Sequence, residues 1–232
     1  MSHPEPFAET DPIEHRTMAA QVYERLSFLL ISGQVAPGAK LSLRALSQTF
    51  GCSMMPTREA VTRLVTEGAL EVMRNRAARV PVIRSDQFRD LTRVRSTIEG
   101  HAAAEAARRR SDTDLARIAA ARDAFRLECS KPSPDPALAV AYNQAFHFAV
   151  YEAAGSPTLM SIIRGLWLKA GPVLNLDLRA NSARRAGGHG VGFHALVVAA
   201  LERGDPEGAA SGIAGDIEGT AAFILQQGSL QD

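Results

Sequence analysis

The sequence has 232 residues, of which 46% are hydrophobic and 22% are charged, a balance typical of folded, water-soluble proteins. No apolar run approaches the roughly 18 residues of a membrane span, and residues 1–6 lack the basic and apolar pattern of a secretion signal. Cys52 and Cys129 are the only cysteines, too few for a disulfide scaffold or a thiolate metal site. We therefore expect a two-domain protein of the cytoplasm with no membrane partner.

The net charge of +1 hides an asymmetry along the chain. The stretch from His15 to Arg84 carries a net charge of +6, so the remainder carries about −5. A basic small domain beside an acidic larger one favours a polyanion as the partner of the first domain. Basic patches are also common as plain solvated surface, so charge alone leaves both interpretations open.

The first part of the chain predicts three helices. Residues 1–14 are rich in proline and acidic side chains and are expected to be a flexible tail. Apolar residues at helical spacing predict a helix over 18–32. Shorter helices are expected after Ser42 and after Ser53, because serine is a preferred N-cap residue.

A hairpin is predicted after the third helix. Two short apolar stretches, 69–73 and 78–83, flank the basic segment 74–77, Arg-Asn-Arg-Ala. Two short helices joined by a tight turn and followed by such a hairpin are typical of a winged helix-turn-helix. We assign this DNA-binding unit to residues 15–84.

The third helix of this unit carries the candidate base contacts. Its outer side presents Met54 and Arg58 to a major groove, and the guanidinium of Arg58 suits the O6/N7 pair of guanine. An arginine on a helix exterior is also common as solvated surface, for example paired with Glu59. Near the positive end of the helix, serine and threonine hydroxyls can donate to phosphates. The predicted DNA-contacting residues are Arg44, Ser53, Met54, Thr57, Arg58, Arg74, Asn75, Arg76 and Arg79.

The same segment resembles the GntR family of bacterial regulators. The resemblance lies in one ordered run: Pro37-Gly38, Leu46-Ser47, Phe50-Gly51-Cys52-Ser53, Pro56-Thr57-Arg58-Glu59-Ala60-Val61 and Glu67-Gly68-Ala69-Leu70. It implies binding to double-stranded DNA. The family usually has arginine at the position of Met54 and glycine at the position of Ala77. Because the missing arginine removes a base contact worth about 1–3 kcal/mol, we expect a different operator sequence.

The rest of the chain, residues 85–232, shows helical periodicity and no strand pattern. Helices are predicted near 86–110, 112–130, 136–154, 157–180, 188–203 and 205–228, with breaks at Pro, Gly and Ser-rich segments. The predicted fold is therefore mainly α, with a winged helix-turn-helix followed by an antiparallel bundle of about six helices.

This half resembles the FCD subfamily of GntR regulators. The matching pieces are Val94-Arg95-Ser96-Thr97-Ile98-Glu99, Asn143-Gln144-Ala145-Phe146-His147, Phe193-His194 and Gly204-Asp205-Pro206. The resemblance implies a divalent metal, held by three histidines and an acidic residue, beside a carboxylate-bearing effector. Carried over by position, the ligands are Asn143, His147, His194 and Asp216. Asn143 stands where aspartate is usual and Asp216 where a third histidine is usual, a set that suits Zn²⁺, Ni²⁺ or Mn²⁺.

Plainer interpretations of these residues stay open. His147 and His194 can be core histidines, with Asp216 an exposed helix residue. Arg95 can hold an effector carboxylate, or it can pair with Glu99 one helical turn away, which is worth a few tenths of a kcal/mol on an exposed face. Trp167 is interpreted as core, and His189 as a loop residue that fits poorly as a ligand.

Three classes of function compete. We expect a homodimeric transcription regulator on a pseudo-palindromic operator, controlled by a small organic acid, because two half-sites multiply the specificity of one recognition helix. A metal-dependent enzyme acting on a small carboxylate is the alternative, but the sequence offers no convincing general base, nucleophile elbow or phosphate loop. A DNA-architectural protein is the third class, which would bind with little sequence preference.

Overall fold

The computed structural model describes residues 17–73, 77–180, 188–228 and residue 230. The predicted tail, residues 1–14, and the predicted wing contacts Arg74, Asn75 and Arg76 lie outside the described residues. Along the chain the helices are α1 (Met18–Ile31), α2 (Leu43–Phe50), α3 (Met54–Thr66), α4 (Ser85–Arg109), α5 (Asp112–Cys129), α6 (Pro136–Glu152), α7 (Pro157–Ala180), α8 (His189–Arg203) and α9 (Pro206–Gln226). The strands are β1 (Lys40–Leu41), β2 (Glu71–Val72) and β3 (Ala78–Arg79).

The three N-terminal helices form the predicted helix-turn-helix unit. Ser42 begins α2 by accepting a hydrogen bond from the amide of Ala45. Gly51 ends α2 with a φ of +64°, a left-handed conformation that glycine adopts without a Cβ penalty. The chain can therefore turn tightly into α3. Leu26 of α1 and Leu64 of α3 are fully buried in the core that joins these helices.

The wing is a three-stranded antiparallel sheet in the order β1-β3-β2. Arg79 of β3 lies opposite Glu71 of β2 on one side and Lys40 of β1 on the other. The β2–β3 hairpin agrees with the prediction from sequence. Strand β1 was not predicted, because two residues carry no period and the partner strand is distant in sequence.

The other six helices of the described residues form the predicted bundle, which confirms the mainly α fold. Each begins within one residue of its predicted start, because the caps are local signals. Ser111, Asp135 and Asp205 accept hydrogen bonds from the first-turn amides of α5, α6 and α9. Helix α4 lies at the centre and packs against α6, α7, α8 and α9. No helix among the described residues combines the length and hydropathy needed to cross a bilayer.

Helix α7 connects the bundle to the DNA-binding unit by packing against α1. At Gly171 an added Cβ would lie 2.6 Å from the Cα of Ile31, so the two backbones are in direct contact and only glycine fits. One helical turn further, the side-chain amide of Asn175 donates to the backbone carbonyl of Ile31. The two domains therefore share a tight junction.

Candidate functional site

The outer face of α3 is exposed, as a DNA-reading helix requires. Met54 and Met55 in its first turn are 39% and 71% exposed, and Arg58 one turn later is exposed. Arg44 on α2 is exposed as well. Ser53 occupies the N-cap position of α3 and is exposed, although its side chain makes no capping hydrogen bond.

Two of the predicted DNA contacts have other roles in the structure. Thr57 is fully buried, and its hydroxyl donates to the backbone carbonyl of Ser53 at 3.2 Å. The structure therefore does not support the predicted phosphate contact by Thr57. Arg79 forms an ion pair with Glu71 across the hairpin, with Nη2 2.5 Å from Oε1. This ion pair partly neutralises the charge of Arg79 in the absence of DNA.

In the bundle, three of the four predicted metal ligands come together. His147 on α6, His194 on α8 and Asp216 on α9 are buried, and their ligand atoms lie within 4.8 Å of one another. Asn143 precedes His147 by one helical turn and lines the same cavity. Asp216 is therefore a buried member of the cluster, and its interpretation as an exposed helix residue is wrong.

A chain of hydrogen bonds determines the role of Nδ1 of His147. The Tyr151 hydroxyl donates to Glu99 at 2.5 Å, and burial raises the Tyr151 pKa well above its ordinary value, so the phenol keeps its proton. Tyr151 also lies 3.0 Å from Nδ1 of His147. Because the only hydroxyl proton goes to Glu99, Nδ1 of His147 must donate to Tyr151. A neutral His147 then presents the lone pair of Nε2 to the cluster, which is the state that a metal ligand needs.

The Nε2 lone pair of His147 faces the carboxyl group of Asp216. Nε2 of His147 lies 3.1 Å from Oδ2 of Asp216. Two atoms that both accept hydrogen bonds repel at this distance unless a positive charge lies between them. A proton on His147 or on Asp216, or a bound cation between them, removes this repulsion. The arrangement forms an ion pair when His147 carries the proton, and it offers two ligand atoms to a cation.

His194 is the third member of the cluster and has unused polar atoms. Its ring is 0% exposed and stacks on Phe146 with the centroids 3.8 Å apart. Neither ring nitrogen forms a hydrogen bond with a residue that the structure describes. Burial lowers the pKa of His194 to about 3, although the Asp216 charge acts in the opposite direction. His194 is thus neutral near pH 7, and its interpretation as a hydrogen-bonded core histidine is wrong.

The cluster opens onto a cavity of about 390 Å³. Its wall includes Arg95, Asn143, Trp167, Asn175, His189 and Thr220, together with apolar side chains of α7 and α9. Trp167, which the sequence favoured as core, is buried and also lines this cavity. His189 begins α8 at the cavity but is outside the three-residue cluster.

Arg95 and Glu99 differ in their relation to the cavity. They form a buried ion pair, with Nε of Arg95 2.6 Å from Oε1 of Glu99, where an exposed pair was one of the alternatives. Glu99 also accepts from Tyr151 and from the indole of Trp167, and it is not part of the cavity wall. The structure therefore gives Glu99 a positioning role instead of the predicted effector contact. Arg95 keeps Nη1, which bonds to no described residue.

Three residues of the site were missed from sequence. Tyr151 follows His147 by four positions, so the helical period could have indicated their contact. The hydrogen bond from Trp167 to Glu99 and the place of Asn175 beside α1 join different helices. Nothing local in the sequence marks these two contacts.

A winged helix-turn-helix in front of a helical bundle with a buried His/His/Asp cluster defines a class of DNA-binding transcription regulators. The sequence matches the family model for bacterial regulatory proteins of the gntR family over residues 18–80 and the FCD domain over residues 90–218. The chain therefore belongs to the GntR family, in the group with an FCD domain.

Relatives support this membership. The chain is 30% identical over 218 residues to the HTH-type transcriptional regulator McbR of Escherichia coli K12, covering 94% of this chain and 97% of McbR. The solved structure of E. coli McbR/YncC superposes with a TM-score of 0.84 at 29% identity, over 93% of this chain and 100% of that one. A GntR regulator of Rhodococcus sp. RHA1 shares the fold, with a TM-score of 0.72 at 22% identity over 90% and 97% of the two chains.

Proposed function

We propose that this transcription regulator binds a small organic acid, together with a divalent metal, in the cavity of its C-terminal domain. Occupancy of the cavity then controls its affinity for operator DNA. The observation that carries the proposal is the convergence of His147, His194 and Asp216 beside the guanidinium of Arg95. The cavity volume of about 390 Å³ suits a small ligand.

The residues present fit a metal. Two neutral imidazoles and a carboxylate are ligands that Zn²⁺, Ni²⁺ and Mn²⁺ accept, and the Asn143 amide oxygen is a candidate fourth ligand. The unbonded nitrogens of His194 and the close approach of His147 to Asp216 both favour a cation. When bound, the ion would supply positive charge for an effector carboxylate.

Arg95 is the proposed protein anchor for the same carboxylate. Burial alone would lower its pKa, but the adjacent Glu99 outweighs this and raises it, so Arg95 stays charged. Glu99 holds Nε and Nη2 of Arg95, and Arg95 lines the cavity. Nη1 is therefore the proposed donor to the effector carboxylate.

On the DNA side, we propose a homodimer that reads a pseudo-palindromic operator in the cytoplasm. Arg58 and Arg44 are proposed to contact bases or phosphates, and Ser53 a phosphate. Met54 offers an apolar surface where the family usually has arginine, which suits a thymine methyl group. The wing residues Arg74, Asn75 and Arg76 remain predicted contacts, and Arg79 contributes once its pair with Glu71 opens.

The proposed control is a shift between two arrangements of the paired DNA-binding domains. A ligand that prefers one arrangement by about 2–3 kcal/mol would change operator affinity by one to two orders of magnitude. The enzyme hypothesis gains no observation in its favour, and the named relatives are transcription regulators.

The test combines binding and melting on the full-length protein. After chelation, titration calorimetry with Zn²⁺, Ni²⁺ and Mn²⁺ should show one site per chain, absent in His147→Ala. A thermal-shift screen of small organic acids, with and without metal, should then find an acid whose stabilisation requires the metal. A metal present at 100 times its Kd should add about 2.7 kcal/mol of stability.

The outcomes separate the parts of the proposal. An acid that stabilises the protein equally after chelation would leave Arg95 as the anchor and contradict the metal. If no metal and no acid binds, the sensor function is wrong, while membership of a DNA-binding family stands. Turnover of an acid by the protein would support the enzyme hypothesis.

A further inference from the structure

Asn175 on α7 contacts both the cavity and the end of α1. It is part of the wall of the cavity beside Arg95, and its side chain is 2% exposed. Its amide nitrogen donates to the backbone carbonyl of Ile31, the last residue of α1. One amide group therefore touches both the sensor cavity and the DNA-binding unit.

The carbonyl of Ile31 needs this partner. The last carbonyls of a helix have no amide in the following turn to bond with. After α1, the amides of Ser32, Gly33 and Gln34 bond to carbonyls earlier in the helix, and not to that of Ile31. The amide of Asn175 therefore completes the C-terminus of α1 from across the domain junction.

The close packing of α7 on the end of α1 restricts the relative movement of the two helices. Gly171, one turn before Asn175 on α7, approaches the backbone of Ile31 so closely that a Cβ would overlap it. Helix α1 in turn packs along α3, which carries the exposed face described above. A small displacement of α7 is therefore passed to the DNA-reading helix through α1.

The oxygen of the Asn175 amide is the second polar atom of this side chain. This oxygen has no hydrogen-bond partner among the described residues, whereas the nitrogen is used by Ile31. An amide oxygen of a residue that lines a cavity is an acceptor for a ligand that carries a donor group. The neutral amide adds no charge to the cavity, so a hydroxyl or ammonium group suits it.

We propose that Asn175 recognises a donor group on the cavity ligand and couples cavity occupancy to the position of α1. A hydroxylated organic acid offers a group to each of these two residues, its carboxylate to Arg95 and its hydroxyl to Asn175. The inference rests on the proposed function in one respect, namely that a ligand enters this cavity. The coupling contact itself exists without a ligand.

The first experiment needs no ligand. Asn175→Leu keeps the branching at Cγ and removes both the donor and the acceptor, and Asn175→Ala is a second, smaller variant should the first fold poorly. An operator fragment selected by the wild-type protein from a random DNA pool is titrated with each variant. We expect operator affinity to change at least fivefold in both variants. Thr158→Leu, an exposed polar-to-leucine change on the same helix, should match wild type.

The second experiment follows the C-terminus of α1 directly. Amide hydrogen exchange of the peptide covering residues 26–34 is measured with Zn²⁺ and malate, and with Zn²⁺ and succinate, which differs from malate only by lacking the hydroxyl. In wild type malate should change the exchange rate several-fold more than succinate does. In Asn175→Leu the two acids should act alike.

Unchanged operator affinity in both Asn175 variants, with the same exchange as wild type, would overturn the coupling. If neither acid binds the wild-type protein, the choice of ligand class is wrong. The ligand-free comparison of operator affinities still decides the coupling in that case. A failure of the sensor function and a failure of this inference are therefore distinguishable.

Discussion

Tyr151 has one hydroxyl proton, and its destination determines the tautomer of His147. The proton goes to Glu99, so His147 donates from Nδ1 and presents Nε2 to Asp216. Histidine ligands of metals are commonly held in this way by a partner on the other nitrogen. The buried pair of Arg95 and Glu99 is thus one end of a chain of hydrogen bonds that leads to the contact between His147 and Asp216.

Replacing Tyr151 by phenylalanine tests this chain. Tyr151→Phe removes the acceptor for Nδ1 of His147 without changing the ring, and loss of such a partner lowers metal affinity by about 10–100-fold. Competition titration with a chelating dye measures the affinity. Tyr142→Phe is the same change on the same helix and should leave the affinity unchanged. Equal affinities in both variants would show that Tyr151 does not set the tautomer.

The surroundings of His194 lead to a prediction about the stability of the protein without metal. The two buried nitrogens of His194 form no hydrogen bond with any described residue, and an unsatisfied buried polar group costs about 1–3 kcal/mol. His194→Leu should therefore make the chelated protein more stable by about that amount, although a histidine is lost from the core. Urea unfolding in the presence of chelator measures the change.

The same variant should lose the response to metal. Wild type should gain stability when Zn²⁺ is added, whereas His194→Leu should gain little, because one ligand is missing. His147→Leu is the contrasting variant, since it breaks a hydrogen bond with Tyr151 and should destabilise the chelated protein. A chelated His194→Leu protein less stable than wild type would mean that the imidazole has a structural role.

At the scale of elements, α7 is the helix that joins the cavity to the DNA-binding unit. Its residues line the cavity, pack against α1 and include a proline within the helix. Proline lacks an N–H and interrupts the helical hydrogen bonds, so α7 can bend near Pro172. The neighbouring Gly171 is the point of backbone contact with Ile31.

Two glycines on α7 give a matched comparison. Gly171→Ala should destabilise the protein by about 1–3 kcal/mol, because its Cβ would overlap the backbone of Ile31. Gly165→Ala has open space around the new Cβ and should be neutral or stabilise by up to about 1 kcal/mol, the helical preference for alanine. Thermal unfolding of the two variants checks the difference. Equal stabilities would mean that the junction with α1 is looser than described.

The helices of the bundle could be predicted closely because their ends are local signals. The serine or aspartate caps at Ser111, Asp135 and Asp205 stand next to the residues they cap. Contacts between distant segments could not be predicted in this way. Strand β1 and the bond from Asn175 to Ile31 both depend on how whole elements are placed.

The burial of Thr57 could be predicted from the sequence. Thr57 precedes Ala60, Val61 and Leu64 by three, four and seven positions, so the helical period places it on the buried stripe of α3. The predicted phosphate contact rested on the hydroxyl of Thr57 alone. The proposed metal ligands show the limit of arguments from spacing, since His147, His194 and Asp216 lie on three different helices and were joined only by resemblance.

At the scale of the whole molecule, one hydrophobic core runs through both domains. A single cluster of buried residues extends from Val22 of α1 to Ile217 of α9. We therefore expect one cooperative unfolding transition instead of two.

Calorimetry of the full-length protein tests this expectation. A single peak should move to higher temperature when Zn²⁺ is added, because metal bound in one domain stabilises the other through the shared core. Tryptophan fluorescence reports on Trp167 in the bundle, and amide exchange of α1 reports on the DNA-binding unit. Two peaks, of which only one responds to zinc, would mean that the domains unfold independently.

The close approach of Gly171 to Ile31 also bears on the use of this protein as a building block. A biosensor made by joining residues 17–84 to another sensor domain would need a glycine facing Ile31, and an amide donor one turn later. Most grafted helices would present a side chain there, which would hold the two parts apart and leave the reporter insensitive to its ligand. The interchangeable unit is therefore the DNA-binding domain together with α7, and a chimera designed around that boundary should keep its signal.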